Sequence, residues 1–239
     1  MWPTDAEELV AAQAELASSR PEPWRPPGEQ VLVGGCWATF PRGLTGPGAA
    51  GDRAWAAGVT MYGARVVASH AVAGVAGAPY TPGLLALRIG ALLEQVARGL
   101  DPAPDVLLVD ASGRDHPRRA GLAIQLGAEL GLPTVGVTHR PLEGVGAWPE
   151  DRPGASSPVR AGEEVVGCWL RTRAGTRPVV VHPGWRVDLP TAVEVVAAAA
   201  RGRRTPEPLR QARQLARRAR NAADGPPASG RVRPPRPRG

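Results

Sequence analysis

The residues that could do chemistry in this chain are a few carboxylates, histidines and arginines that follow strand-like runs or stiff loops. Asp110 closes the apolar run DVLLVD over 105–110 and precedes a glycine-containing turn. An aspartate in such a position either bonds local backbone amides or serves as an oxygen ligand for a divalent cation, and both interpretations stay open. His116 and His139 have no nucleophile or paired acid beside them in sequence, so we assign neither an acid–base role.

Two consecutive arginines, Arg118 and Arg119, lie at the start of a helix predicted over 117–130. Positive charges in the first turn of a helix oppose its dipole by roughly 0.3–1 kcal/mol, which is easier to understand if an anion shares the site. We therefore favour a phosphate held jointly by helix amides and guanidinium groups. An ion-paired or solvated turn is the alternative.

The segment Pro79-Tyr80-Thr81-Pro82-Gly83 is stiff, since each proline fixes its own φ and restricts the residue before it. It presents Tyr80 from a rigid loop. Aromatic and apolar side chains on such loops can act as wedges that unstack bases, although the sequence of the loop alone also fits an ordinary connection.

Hydrophobic periodicity predicts the elements that must position these residues. We expect a helix over 5–18, a Pro-rich connector over 21–28, and three strands over 30–40, 54–61 and 64–72, the last two forming a hairpin. A helix over 84–98 precedes a strand–helix–strand unit over 105–110, 117–130 and 133–138, which adds parallel strands. Strands over 164–171 and 178–182 and helices over 190–201 and 207–220 follow, so the fold class is α/β with a mixed sheet.

Composition favours one domain over 1–220 and a disordered basic tail over 221–239 that is rich in Pro, Gly and Arg. The 239 residues carry a formal charge of +7 that comes from arginine alone, which makes nucleic acid the first partner to consider. Cys36 and Cys168 have no ligand spacing around them and are expected to be buried free thiols. No apolar run of about 18 residues and no secretory start are present, so we expect a cytoplasmic, monomeric protein that does not enter a membrane.

Several motifs together are similar to those of the endonuclease V family, from about residue 8 to 218. They are the loop at 79–83, Val109-Asp110 with Gly113, the segment His116-Pro117-Arg118-Arg119 with Gly121, the strand 133–137 with Gly136, Gly184 with Arg186-Val187, and Pro206-Glu207-Pro208. The resemblance implies a ribonuclease H-like fold. It also implies a Mg²⁺-dependent enzyme that cleaves DNA or RNA near inosine, the product of adenine deamination.

Carried over residue by residue, the resemblance implies a nucleic-acid contact set. Its members are Tyr80, Pro82, Gly83, Leu85, Gly113, His116, Arg118, Arg119, Gly136 and His139. In the family the loop at 79–83 acts as the wedge, and Leu85, Gly113 and Gly136 match positions around the flipped base. An additional arginine set, Arg210, Arg213, Arg217 and Arg218 on the last helix with the tail arginines, is expected to add nonspecific phosphate affinity.

The chain departs from the family where the metal should be held. Trp37 and Ile89 stand at positions of family carboxylates, His139 replaces a lysine, and Trp185 replaces a histidine, which leaves Asp110 as the retained metal-site residue. Mg²⁺ normally needs more than one fixed carboxylate, so a lone Asp110 is expected to bind it weakly or not at all. Carboxylates that could compensate are Glu94, Asp115, Glu143 and Asp188.

The favoured hypothesis is therefore a pseudoenzyme that keeps the nucleic-acid contacts, with inosine as the candidate ligand, but has lost efficient cleavage. One alternative is an active endonuclease that uses Asp110 with recruited acids. The other is a fold that has been reused to bind a protein partner through Trp37 and Trp185.

Overall fold

A mixed sheet of eight strands, in the order β3-β2-β1-β4-β5-β8-β7-β6, forms the centre of the molecule. A computed structural model describes residues 2–28 and 30–224 of the chain. The strands are β1 (Leu32–Thr39), β2 (Arg53–Tyr62), β3 (Arg65–Val75), β4 (Val106–Val109), β5 (Thr134–Thr138), β6 (Ser156–Ala161), β7 (Glu164–Leu170) and β8 (Val179–Pro183). β1, β4 and β5 run parallel, and the other neighbouring pairs are antiparallel.

Five helices cover the two faces of this sheet: α1 (Ala6–Ser18), α2 (Leu85–Arg98), α3 (Leu122–Leu130), α4 (Leu189–Ala200) and α5 (Glu207–Asp224). Two of the helices, α1 and α4, begin at an aspartate whose side chain accepts a hydrogen bond from a free amide of the first turn. Asp5 accepts from the amide of Glu8, and Asp188 accepts from the amide of Thr191 with Pro190 in the first turn of α4. α3 ends at Gly131 in the left-handed conformation, which glycine adopts without a steric penalty.

Alternating side chains of the parallel strands divide the core into two layers. Cys36, Leu107 and Val109 pack toward α2 and α3. Val106 and Leu108 point the other way, toward α4 and Leu209 of α5. Because β4 and β5 are parallel neighbours, the residues that follow them emerge together at one end of the sheet.

The α/β class, the β2–β3 hairpin and the parallel β4–α3–β5 unit were predicted correctly from the sequence. The strand β6 was missed, because Ser156-Ser157-Pro158 breaks the apolar pattern and Pro158 lies on an edge strand, where its missing amide is tolerated. α5 continues four residues beyond its predicted end, to Asp224. The rest of the predicted tail, 225–239, lies outside the described residues.

Two further expectations can be compared with the described residues. Cys36 and Cys168 are both buried free thiols, as predicted. Among the helices described, none is long and apolar enough to cross a membrane.

Candidate functional site at the carboxyl ends of the parallel strands

A cavity of about 550 Å³ opens where β4 and β5 end, and we call it the Asp110 pocket. Crevices at the carboxyl ends of parallel strands are the usual ligand sites of such sheets. Six residues singled out from the sequence line it: Tyr80, Gly83, Leu85, Asp110, His116 and His139. The structure thus brings together side chains that are separated by up to about sixty positions in the sequence.

Tyr80 stands at the rim of the pocket on a fixed loop. Its side chain is 46% exposed, while its amide donates to the carbonyl of Pro47 at 2.7 Å. The buried guanidinium of Arg88 donates to the carbonyl of Ala78 at 2.6 Å and pairs with Asp52 at 3.2 Å. The loop backbone is therefore held from two sides while the Tyr80 ring is left accessible.

The carbonyl of Gly83 is the second anchor of this loop. It accepts from Gln13 Nε2 at 3.0 Å, from His116 Nε2 at 3.1 Å and from an Arg118 Nη at 2.9 Å. His116 Nδ1 accepts from the amide of Arg118, so its Nε2 carries the proton that is donated to Gly83. Burial lowers the pKa of His116 to about 4, which keeps the ring neutral at physiological pH.

The predicted position of Arg118 and Arg119 in the first turn of a helix was wrong. α3 begins only at Leu122, and Arg119 lies in a turn with φ of 55°. The segment before the helix forms a turn in which the side chains of Asp115 and His116 are buried. Arg119 pairs with Glu164 at 2.7 Å and Arg118 also bonds Gln13, so both guanidinium groups have protein partners.

Gly113 and Gly136 are buried and are not among the residues that line the pocket. A Cβ at Gly113 would collide with the carbonyl of Pro183, and one at Gly136 with the carbonyl of Ala111. These glycines allow close approach of protein backbone to protein backbone. Direct contact of either glycine with a base, as the resemblance implied, has no support in this packing.

Asp110 forms part of the pocket wall directly after β4. Among the described residues, none donates a hydrogen bond to its carboxylate, so the structural role considered from sequence, bonding of local amides, is wrong. Burial raises the pKa of Asp110 to about 6, and the positive charge of Arg213 opposes that rise. The carboxylate is therefore ionised near neutral pH but titrates within the physiological range.

Trp37 and Arg213 are the neighbours of Asp110 on the α5 side of the sheet. The register pairs Cys36 of β1 with Val109 of β4, which puts Trp37 level with Asp110. The Arg213 guanidinium lies 5.1 Å from the centre of the Trp37 ring, and its Nε is buried without a partner among the described atoms. Arg213 was expected to add nonspecific phosphate affinity from the last helix; in the structure its side chain packs against Trp37.

The other two replacements lie apart from this cluster. Ile89 is 9% exposed and packs in the core between α2 and the sheet. Trp185 bonds through its backbone to Thr134, at the start of β5, whereas Asp110 follows the end of β4. The expectation that Trp185 occupies the metal pocket was wrong. Because β8 runs antiparallel to β5, the turn that follows β8 lies at the end of the sheet opposite to Asp110.

The carboxylates that could have compensated are engaged elsewhere. Asp115 is fully buried and accepts from the amides of Leu142, Glu143 and Gly144 at 2.7–2.9 Å. Glu94 bonds Trp2 and Arg98, and Asp188 caps α4 and pairs with Arg25. The backbone of Glu143 follows the pocket residue Leu142, but its own side chain is not part of the pocket wall.

The residues present do not fit the Mg²⁺ site that the resemblance implies. Within 2–28 and 30–224, no group of three or more His, Cys, Asp or Glu side chains converges in a way that could hold a metal ion. On the α5 side of Asp110 the neighbours are an indole and a guanidinium, which supply no oxygen ligand. A cation is already provided by the protein, through Arg213.

Several pocket residues were not found from the sequence. They are Ser112, Leu122, Gln125, Thr138, Arg140, Pro141 and Leu142. Their nearness to Asp110 depends on how the loops after β4 and β5 fold, and the three hydrogen bonds to Asp115 shape the second of these loops. The placement of Asp115 and Leu142 in the sequence contains no periodic signal that would have revealed this contact.

Comparisons with known proteins agree with the motifs. The family profile described as endonuclease V matches residues 28–214. An endonuclease V of Methanopyrus kandleri is 43% identical over 67% of this chain and 69% of its own length, and one of Streptomyces avermitilis is 37% identical over 91% and 93%. The crystal structure of a Streptomyces avermitilis endonuclease V superposes with a TM-score of 0.83 at 36% identity, covering 94% of this chain and 96% of the other. The predicted ribonuclease H-like architecture is thereby confirmed.

Proposed function

Because this chain belongs to the endonuclease V family, we propose that it binds inosine-containing nucleic acid in the Asp110 pocket without cleaving the strand efficiently. The observation that carries this proposal is the contrast between the two sides of Asp110. On one side the pocket offers anchored surfaces that could contact a base, while on the α5 side Trp37 and Arg213 stand where a metal would need oxygen ligands.

The rim of the pocket supports binding of an unstacked base. Tyr80 and Leu142 are large apolar side chains that remain 46% and 37% exposed at its edge. Both are on loops whose backbones are fixed, Tyr80 by Pro47 and Leu142 by Asp115. Rigid apolar side chains of this kind can take the place of stacking partners when a base leaves the helix.

The interior of the pocket supports recognition of the base edge. Leu85 and Leu122 supply apolar contact, and Ser112 and Gln125 supply polar groups beside them. Gln125 Nε2 donates to the carbonyl of Ala120 at 2.8 Å, which orients its amide. Flipped bases are generally read by this combination of apolar contact and hydrogen bonds to their edges.

Impaired hydrolysis follows from the donor set. A lone carboxylate can accept a proton from water, but it cannot polarise a phosphoryl group or stabilise a leaving oxygen. Arg213 adds a positive charge close enough to lower the pKa of Asp110, yet a guanidinium cannot activate a bound water as a metal does. We therefore derive no hydrolytic step from these residues.

The test compares matched single strands that contain inosine or adenosine at one position, each with and without Mg²⁺ or Mn²⁺. Binding is measured by fluorescence anisotropy and cleavage by gel electrophoresis, with the Streptomyces avermitilis endonuclease V as the parallel control. We expect tighter binding of the inosine strand and no metal-dependent product. Efficient metal-dependent cleavage would overturn the loss of chemistry, and equal affinity for both strands would overturn inosine recognition.

These outcomes also separate the alternatives considered from sequence. An active enzyme that recruits acids would be revealed by cleavage, although Asp115, Glu94 and Asp188 already have other partners. Reuse as a protein-binding surface through Trp37 and Trp185 would require the two side chains to form one patch. The two tryptophans lie at opposite ends of the strands, which argues against such a surface.

A further inference from the structure

A second cavity, of about 570 Å³, adjoins the Asp110 pocket, and we call it the Trp148 cavity. The two cavities share His139, Arg140 and Pro141 in their walls. Trp148, Trp169, Arg177 and Arg204 are other members of the second wall. A polymer whose nucleotide occupied the first cavity could therefore continue directly into the second.

The charge in the Trp148 cavity is positive and is not neutralised locally. In the part of the chain that the structure describes, no carboxylate lines the cavity, and Arg140, Arg177 and Arg204 form no ion pair. Arg204 donates to the carbonyls of Arg177 and Pro178 at 2.8 and 3.3 Å, so its side chain is fixed. The pKa of Arg204 is lowered by burial and by Arg177, which is the expected effect of cations held close together. Such a cluster favours a bound anion.

Trp148 offers an accessible aromatic surface beside these cations. It is 55% exposed, although its ring packs edge-on against the buried Trp169 with centroids 6.2 Å apart and an interplanar angle of 70°. The Arg171 side chain fixes the segment after it by donating to the carbonyls of Pro149 and Glu150. An exposed indole on a fixed loop loses little conformational freedom when a base stacks on it.

We propose that the Trp148 cavity binds the nucleotide next to the one held in the Asp110 pocket, its base on Trp148 and its phosphate among Arg140, Arg177 and Arg204. This inference rests on the proposed function, because it requires a strand that passes through the Asp110 pocket. Stacking on an indole and ionic contact with phosphate are both tolerant of sequence. The cavity would therefore add affinity for the strand without adding preference for a particular neighbouring base.

The experiment compares two probes, inosine 5′-monophosphate and a longer inosine-containing single strand, on the full chain and its variants. Trp148→Ala removes the stacking surface, and Trp148→Phe keeps an aromatic ring. Arg177→Gln removes one cation, and Arg65→Gln is the matched control, since Arg65 is an exposed arginine at the opposite end of the sheet. Thermal unfolding checks that each variant is folded.

We expect Trp148→Ala to weaken binding of the strand by roughly 5-fold or more while leaving the monophosphate unaffected. Trp148→Phe should retain most of the affinity. Arg177→Gln should weaken strand binding and reduce the salt dependence by about 0.7 in the log–log slope, as loss of one phosphate contact predicts. Arg65→Gln should have a smaller effect.

Two results distinguish failure of this inference from failure of the proposed function. If folded Trp148→Ala and Arg177→Gln both bind the inosine strand as the unmodified chain does, the Trp148 cavity is not part of the path and the inference is overturned, while inosine binding stands. If all strands bind equally with or without inosine and Trp148→Ala still weakens them, the cavity is supported and inosine recognition fails.

Discussion

At the scale of single residues, Asp110 decides what the pocket can do, because it is a carboxylate whose pKa near 6 is set by burial and by Arg213. Near pH 7.5 it is ionised and repels the phosphates of a strand. A carboxylate that held a metal would instead attract them through the bound cation. Whether Asp110 weakens or strengthens binding of the strand therefore distinguishes a free carboxylate from a metal ligand.

Replacing Asp110 with Asn should raise the affinity for an inosine strand by roughly 5-fold at pH 7.5 and moderate salt, since one buried negative charge is removed from the phosphate path. The affinity of the unmodified chain should also rise as pH falls through about 6, where Asp110 becomes neutral. Asp110→Asn should show less of this rise. Anisotropy titrations at several pH values measure both effects.

Asp110→Glu is the matched control, because it keeps the charge and should behave like the unmodified chain. A loss of affinity in Asp110→Asn that appears only when Mg²⁺ or Mn²⁺ is present would contradict this prediction. It would assign Asp110 to a working metal site.

Individual contacts were partly predictable from the sequence. The residue types around the pocket, such as Tyr80, Leu85 and His116, were found because they belong to a local motif. The position of Arg213 near Asp110 and Trp37 was not predicted, because an amphipathic helix rich in arginine gives no sign of which guanidinium turns inward. The predicted position of Trp185 was wrong, since matching a residue to a motif does not reveal at which end of the sheet it lies.

At the scale of elements, the parallel pairing of β1 with β4 and the packing of α5 across β1 create the neighbourhood of Asp110. The register makes position 37 the nearest place on β1 for a second carboxylate. α5 then fills the space beside position 37 with the positively charged side chain of Arg213. In the proposed function, the change at the metal position thus involves one side chain from each of two elements.

The double variant Trp37→Asp with Arg213→Gln should bind Mn²⁺ more tightly than the unmodified chain does. Two neighbouring carboxylates without a competing guanidinium offer the oxygen ligands that such cations require. Isothermal titration calorimetry with Mn²⁺ measures the gain. Trp37→Asn with Arg213→Gln is the control, because it opens the same volume without adding charge.

Equal Mn²⁺ binding by the unmodified chain and the double variant would show that Trp37 and Arg213 do not block a metal. Equal binding by the Asn control would show that volume alone, and not the second carboxylate, is responsible. Either result would argue against the account of the site given above.

At the scale of the whole molecule, the order of strands and helices was largely predictable because apolar periodicity is a local property of the chain. The pairings that close the sheet depend on contacts far apart in sequence, and β6 at the edge was missed. The same long-range contacts hold the pocket: the carbonyl of Gly83 receives donors from α1 and from the segment between β4 and α3. Folding of the chain and construction of the pocket are therefore coupled.

This coupling gives stability a dependence on pH. Burial lowers the pKa of both His116 and His182 to about 4, from an ordinary value of 6.5. Between these values the unfolded chain binds more protons than the folded chain, so the free energy of unfolding falls as pH falls from about 6.5 toward 4. The pKa of Asp110 is raised from 3.8 to about 6, so protonation of Asp110 stabilises the folded chain as pH falls through this range. Because two histidines oppose this single carboxylate, the net effect of the three groups is a loss of stability.

Replacing His116 with Gln should reduce this acid sensitivity, because the Gln amide can still donate to the carbonyl of Gly83 but does not titrate. Between pH 7.5 and pH 5, the unmodified chain should lose about 2 kcal/mol more unfolding free energy than His116→Gln does. Urea titrations at the two pH values measure the difference. Replacing His70 with Gln is the control for a histidine substitution elsewhere, since His70 is on β3 and outside the pocket. The same loss of stability in His116→Gln as in the unmodified chain would mean that His116 is not held neutral by the fold, and that the anchoring of the Tyr80 loop does not depend on its uncharged form.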